Sequence, residues 1–139
     1  MATGAVVAAC SADEADTPPP VDPLIAHAEL ARGDAAAATA AIAVLADRAP
    51  ALQLVAAERT AHAEALTKEV ERAAGTSTTP VPTSPAAPVD PPTLDAVRGR
   101  LVDSQRRAAD LARTLSGYRA GLLGSISAAC AVHTAVVLA

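Results

Sequence analysis

The sequence predicts an all-α protein whose helices form a four-helix bundle. Alanine, which has the highest helix propensity, makes up about a quarter of the 139 residues. Apolar residues recur at alternating spacings of three and four along several stretches, as they do on one face of a helix. A single proline-rich segment separates these stretches into two pairs, so two helices are expected on each side of it.

The first helix is predicted to begin at Pro23, because proline fits the first turn of a helix. It is expected to run to Asp47. A short connection at residues 48–50 predicts that the second helix packs antiparallel to the first. The apolar face of the first helix repeats without a break and consists of Leu24, Ala28, Ala31, Ala35, Ala38, Ile42 and Leu45.

The second helix is predicted over residues 51–74, with Gly75 as its C-terminal stop. Residues 75–92 are rich in proline, serine and threonine and therefore form a long linker rather than a helix. The expected apolar face of the second helix consists of Leu52, Ala56, Ala63, Leu66 and Val70.

The third helix is expected to follow Thr93, a residue suited to the N-cap position. Its apolar face consists of Leu94, Val97, Leu101, Ser104, Ala108, Leu111 and Leu115. Three closely spaced glycines, at positions 117, 121 and 124, each cost about 1 kcal/mol in a helix interior. They predict a break near the "SGY" stretch, with a fourth helix running from about Arg119 to the end of the sequence.

The last twenty residues carry no Asp, Glu, Lys or Arg, which allows two interpretations. Their length equals that of a membrane span, so the chain could cross a membrane once through this helix. A helix enclosed by three others is also apolar all round. The abundance of Ala, Gly, Ser and Thr, together with His133 inside the segment, favours the buried bundle helix.

Charge and composition argue against nucleic acid as a partner. The net charge is −4, and Tyr118 is the only aromatic residue, so no stacking platform for bases is available. The six arginines from Arg98 to Arg119 face only three aspartates, Asp95, Asp103 and Asp110, and interleave with them at spacings of three and four, as in Asp103 with Arg107 and Arg106 with Asp110. This pattern predicts a solvated helix face.

The N-terminal region contains a candidate lipid-attachment site. The stretch Val7-Ala8-Ala9-Cys10 resembles the bacterial lipobox, in which small residues precede a cysteine that becomes acylated. Residues 11–20 are acidic and proline-rich, as a tether is. Only nine residues without Lys or Arg precede the cysteine, so a longer signal peptide is expected upstream. The second cysteine, Cys130, is expected to be a small core residue.

Two stretches, "ERTAHAEAL" in the second helix and "SGYRAGLLGSISAACAVHTAVVL" around the fourth, resemble a family of alanine-rich actinobacterial ferritin-like proteins of unknown function, many of them lipoproteins. The resemblance covers residues 22–139 and implies a ferritin-like four-helix bundle with one long crossover between helices two and three. Residues 1–21 would then be lipobox and tether. The resemblance implies no activity.

A metal centre in such a bundle would need a Glu on each of two helices and Glu-x-x-His on each of the other two. This pattern is at best half present here, so no metal site is predicted. The weak candidate ligands for iron or manganese are Asp34, Glu58, His62 and His133. Instead, Asp34 is expected to accept a hydrogen bond from His62, with Glu58, Glu64 and Glu69 in water. His27 is expected to be exposed and His133 to be a hydrogen-bonded core residue.

The sequence therefore predicts a lipid-anchored ferritin-like bundle at the outer face of the cytoplasmic membrane. It would serve as a non-catalytic binding or structural module of the envelope, with self-association as an open possibility. One alternative is a metal-binding or oxidative ferritin-like protein that uses the four candidate ligands. The other is a protein that spans the membrane once through its C-terminal helix.

Overall fold

The computed structural model describes residues 21–75 and 91–139, and all the regular structure in these ranges is helical. A 3₁₀ turn, Ala46–Arg48, precedes the second helix, and a π-helical turn, His133–Val137, continues the fourth. Cys10, most of the tether and most of the linker lie outside the described residues. The four α-helices are α1 (Pro23–Ala41), α2 (Ala49–Ala74), α3 (Leu94–Ala112) and α4 (Gly117–Val132).

The helix ends follow local sequence signals. The Asp22 side chain accepts the backbone N–H of Leu24, and Thr93 caps α3 by accepting that of Ala96. Gly75 ends α2 with a φ of 66°, in the left-handed region that glycine adopts without a Cβ clash. Gly117 begins α4 with a φ of 59°, which confirms the predicted break.

The first helix is shorter than predicted, because it ends at Ala41 rather than Asp47. The backbone leaves helical geometry at Leu45, with φ −126° and ψ 58°, and a 3₁₀ turn then leads into α2. Ile42 and Leu45 nevertheless pack against the core as their spacing predicted. The apolar pattern thus located the buried side chains correctly and overextended the helix.

One core lies between the helices. Helix α1 packs against α2 and α3, and α4 packs mainly against α3, with only sparse contact to α2. Much of the α1 contribution is alanine, so the larger buried side chains supply most of the apolar volume. Each fully buried leucine or valine contributes about 1.5–3 kcal/mol. These larger side chains include Leu24, Leu52, Val55, Leu66, Val97, Leu101, Leu123, Ile126 and Leu138.

Helix α4 is less enclosed than the sequence predicted. The segment Gly117–Val137 is long and apolar enough to cross a membrane, with a mean hydropathy of 1.7 in its most apolar window. Only 22 % of that window is buried inside the protein. The helix therefore packs through one face, and the opposite face, which includes Tyr118, Val132 and Val136, is exposed.

Candidate functional site

The most unusual feature of the interior is a buried arginine in the middle of α2. The Arg59 side chain is 2 % exposed, and its Nη2 donates to Oδ2 of Asp34 on α1 at 3.0 Å. The hydroxyl of Ser104 on α3 donates to the same oxygen at 2.6 Å. An ion pair that is buried in this way costs desolvation energy and is stable only when its hydrogen bonds are satisfied.

A second arginine reaches the same carboxylate from the surface of α3. Nε of Arg100 lies 3.2 Å from Oδ1 of Asp34. The guanidinium passes directly over Gly33, where a Cβ atom would lie 2.6 Å from Nη2 of Arg100. Glycine at position 33 leaves room for the arginine side chain. The single negative charge of Asp34 therefore contacts two guanidinium groups, those of Arg59 and Arg100.

His62 lies one turn after Arg59 on α2 and contacts it directly. The distance from Nη1 of Arg59 to Nδ1 of His62 is 3.1 Å. An arginine has no acceptor, so it donates and the imidazole Nδ1 accepts. Burial, and then the positive charge of Arg59, lower the pKa of His62 to about 4. His62 is therefore a neutral hydrogen-bond acceptor at neutral pH.

Glu58 and His133 form a separate contact between α2 and the end of α4. Nε2 of His133 lies 2.5 Å from Oε2 of Glu58. The histidine side chain is 2 % exposed, whereas the glutamate side chain is 45 % exposed. Nδ1 of His133 and Nε of Arg59 are buried nitrogen atoms without a hydrogen-bond partner in the described part of the chain. The prediction of a hydrogen-bonded core histidine is confirmed for Nε2.

The four candidate metal ligands do not converge on one point. The predicted contact between Asp34 and His62 is wrong, because the guanidinium of Arg59 contacts both side chains in its place. Within residues 21–75 and 91–139, no three His, Cys, Asp or Glu side chains are grouped so that they could hold a metal ion. The guanidinium of Arg59, a cation of the protein itself, lies between the carboxylate of Asp34 on α1 and the ring of His62 on α2.

A second charged cluster lies at the end of the molecule where α2 ends. Arg72 donates two hydrogen bonds to Glu69, both at 2.7 Å, and Arg119 donates a third at 2.9 Å. Arg119 also donates to Asp22 at 2.7 Å. The Glu69 side chain is 2 % exposed, so the prediction that it lies in water is wrong. The hydrogen bonds from Arg72 lower the pKa of Glu69 to about 2. Burial opposes this shift, and the hydrogen bond from Arg119 adds to it.

Three further polar residues singled out from the sequence lie in the described part of the chain. Cys130 is free and fully buried, and burial raises the pKa of its thiol, which disfavours the reactive thiolate. His27 is half-buried rather than exposed as predicted, and burial lowers its pKa. Glu64 lies at the surface as expected.

Among the site residues that sequence reasoning missed, Arg59 and Glu69 are the two whose charged side chains are fully buried. Both lie on the core-facing spacing of α2, in register with Leu52, Val55 and Leu66. The predicted apolar face has no residue between Ala56 and Ala63, so one helical turn lacks an apolar side chain directed at the core. That gap at a charged residue is the signal that could have revealed a buried arginine.

Comparison with models of protein families, with curated proteins and with solved structures finds no match for this chain. The interpretation of its function therefore depends on the contacts described above.

Proposed function

We propose that this chain is a ferritin-like four-helix bundle that acts as a non-catalytic binding or structural module. The observation that supports this proposal is the buried Arg59, which lies between Asp34 and His62. In a ferritin-like metal protein, inward-projecting carboxylates and histidines on facing helices hold a metal ion. Here a guanidinium supplies the positive charge that balances the carboxylate.

The chemistry of this interior fits a structural role. A fixed positive charge at 3.0 Å from Asp34 repels a divalent cation that approaches the same oxygen. His62 already uses Nδ1 as an acceptor for Arg59, which removes that nitrogen as a ligand. The buried thiol of Cys130 is held in its neutral form. These groups stabilise the fold and leave no activated nucleophile or base among them.

The proposed topology includes a crossover through the linker, so that α2 and α3 run parallel. Arg119 at the start of α4 contacts both Asp22 and Glu69, which supports placing the end of α2 at this end of the molecule. The turn between α3 and α4 is only four residues long, at 113–116, so α3 finishes at the same end. In this topology α3 starts at the end of the molecule opposite to the end where α2 finishes. The linker connects the end of α2 to the start of α3.

The proposed location is the outer face of the cytoplasmic membrane, with a lipid on Cys10. This part rests on the lipobox resemblance of residues 7–10. Because a bacterial lipoprotein carries several acyl chains, such an anchor would hold the bundle firmly at the membrane.

One contact favours the alternative of a metal-binding protein. Glu58 and His133 lie together, and the carboxylate of Glu58 remains open to solvent. These two side chains could form a reduced site for iron or manganese with only two protein ligands. The two proposals differ in the metal that the folded protein retains.

Metal analysis of the full chain, purified from cells grown with ample iron and manganese, tests the proposal. Well under one equivalent of either metal per chain is expected, with the same result for His133→Ala and His62→Ala. His27→Ala is the matched control, because His27 is a half-buried histidine on α1 outside the cluster. Near-stoichiometric iron that is lost in His133→Ala and retained in His27→Ala would contradict a structural role.

A further inference from the structure

The outer side of α4 is exposed and uncharged along its whole length. Tyr118 is 65 % exposed, Val132 is 53 % exposed and Val136 is 70 % exposed. Small exposed residues lie between Tyr118 and Val132 at helical spacings, so that all of them form one stripe: Gly121, Gly124, Ser125 and Ala128. The sequence from Ala120 to Ala139 contains no Asp, Glu, Lys or Arg. We call the stripe from Tyr118 to Val136 the α4 face.

The linker begins near the Tyr118 end of the α4 face. Arg119, the next residue, donates to Glu69 on α2 at 2.9 Å. Helix α2 finishes at Ala74, less than two turns after Glu69, so the chain leaves α2 close to Tyr118. The ring borders an open space of about 520 Å³, which two acidic and two basic side chains also line: Glu64, Glu69, Lys68 and Arg72. Because these charges balance, the space does not favour a charged occupant.

The linker ends near the Val136 end of the same face. Only four residues connect α3 to α4, so the two helices are antiparallel neighbours and α3 begins beside the end of α4. The turn His133–Val137 accordingly packs against α3. In the proposed crossover the chain thus passes from the level of Tyr118 to the level of Val136, a distance of about 27 Å at 1.5 Å per residue.

The sequence of the linker matches the α4 face in length and in lack of charge. Prolines recur at every third position, at Pro82, Pro85, Pro88 and Pro91. A polyproline II helix has three residues per turn, so prolines at this spacing would share one side of it. At 3.1 Å per residue, such a helix over residues 82–91 would be about 28 Å long. Asp90 is the only charged residue between positions 76 and 92.

The other route between the ends of α2 and α3 passes over α1, and charged side chains occupy it. Helix α1 packs against both α2 and α3, so its outer side also lies between the two ends of the linker. The exposed Glu29 pairs there with Arg32. The guanidinium of Arg100 extends from α3 across Gly33. A segment laid over α1 would remove these charges from water, a cost that the α4 face does not impose.

We propose that the proline-rich linker of the same chain covers the α4 face, with residues 82–91 lying along it from Tyr118 to Val136. The inference rests on the crossover proposed above and specifies its route. Proline-rich segments in the polyproline II conformation bind to aromatic side chains, and Tyr118 is the only aromatic residue in the chain. The linker removes the apolar side chains of the face from water, which explains why the outer side of this helix carries no charge.

Fluorescence quenching of Tyr118 tests the proposal in the full chain, because no other residue contributes aromatic emission. The combined substitutions Pro82→Ser, Pro85→Ser and Pro88→Ser keep the linker length and therefore the crossover. They remove the proline side of the linker, so acrylamide should quench Tyr118 more strongly than in the parent chain. Thr83→Ala with Ser84→Ala, off the three-residue spacing, is the matched control and should leave the quenching unchanged. Equal quenching in the proline variant and the parent would contradict the proposal.

Disulfide trapping in the Cys10→Ser background tests the route. Ala87→Cys, near the middle of the proline stretch, is combined either with Ala128→Cys on the α4 face or with Ala36→Cys, at an exposed position on α1. Mild oxidation should give an internal disulfide in monomeric protein for the first pair and none for the second.

Other outcomes of the trapping experiment would overturn the proposal. A disulfide to position 36 would place the linker over α1 and leave the crossover intact, and the absence of both disulfides would leave the α4 face uncovered by the linker. A dimer linked through position 128, or protection of Tyr118 only when phosphatidylcholine vesicles are added, would assign the face to a second copy or to lipid. Shortening the linker tests the crossover separately, so its failure is distinguishable from failure of the route.

Discussion

Nη2 of Arg59 lies 3.0 Å from Oδ2 of Asp34, and both side chains are 2 % exposed. The pair joins the middle of α2 to the middle of α1, and Ser104 and Arg100 connect it to α3. Removal of one partner would leave the other charge buried and unpaired. Removal of both leaves a space that apolar side chains can fill.

The first prediction concerns this pair. Asp34→Leu should lower the free energy of unfolding by about 3–5 kcal/mol, because Arg59 then remains buried without its carboxylate. The double variant Asp34→Leu with Arg59→Met should recover a large part of that loss. Chemical denaturation followed by circular dichroism measures both. The surface substitution Asp110→Leu, which breaks an exposed pair with Arg113, should cost less than about 1 kcal/mol. Equal losses in the single and double variants would contradict a mutually compensating pair.

The second prediction concerns His62. Its pKa is lowered to about 4 from the ordinary value of 6.5, so the folded protein excludes a proton that the unfolded chain binds between these values. Stability should therefore fall as the pH drops from 6.5 to 4, and this contribution should change no further below that. In His62→Gln the fall should be smaller. NMR titration of the His62 ring checks the midpoint directly, and a midpoint near 6.5 would show that the ring is not packed against Arg59.

The third prediction concerns Glu69, whose lowered pKa also makes stability fall on acidification, but in a lower pH window. Its pKa is lowered from 4.5 to about 2, so the stabilisation is complete above pH 4.5 and is lost as the pH falls toward 2. Glu69→Gln should flatten the dependence of the melting temperature on pH in this window. The exposed Glu64→Gln on the same helix should leave it unchanged. Identical melting profiles for the two variants would contradict the buried cluster.

The fourth prediction tests the proposed crossover. Residues 75–92, if extended, reach about 55 Å at 3.1 Å per residue, which is enough to pass along a helix of about 39 Å. Shortening this linker to six residues leaves a reach of about 20 Å. The shortened chain should unfold or exchange helices between molecules, as gel filtration and thermal melting would show. A shortened variant that keeps the mass and melting temperature of the parent chain would rule out the crossover.

The fifth prediction concerns the lipid anchor. When residues 1–139 follow a signal peptide that leads into Val7-Ala8-Ala9-Cys10, the protein should be acylated and recovered with membranes. Cys10→Ala should release it in soluble form, because acylation needs the thiol. Retention of Cys10→Ala in the membrane fraction after alkaline washing would favour the C-terminal span instead.

The sequence predicted the number of helices and most of their buried positions, because apolar spacing and capping residues act locally. Thr93 and Gly75 lie at the predicted helix ends. The burial of Glu69 and the partners of both Arg59 and Glu69 could not be predicted from the same information, although the gap in the apolar face falls at Arg59. The pattern assigns charged residues to water, and their partners on α1 and α4 are brought near only by packing.

The contacts of the arginines on α3 and α4 were also only partly predictable from the sequence. They were predicted to form a solvated face with neighbouring aspartates, and Arg113 does pair with Asp110. Arg100 and Arg119, however, reach carboxylates on other helices. Arginine side chains are long enough for either outcome, so spacing along one helix cannot decide between them.

The π-helical turn His133–Val137 changes the direction in which the side chains after it point. The N–H of Leu138 bonds to the carbonyl of His133 at 2.9 Å, five residues back, so the turn holds one residue more than an α-helical turn does. His133 and Leu138 consequently both lie in the core, although a regular helix would rotate the second by about 140° away from the first. This segment thus has the geometry of an α-helix with one additional residue in a single turn. His133 therefore keeps its contact with Glu58, while Leu138, five residues later, still reaches the core.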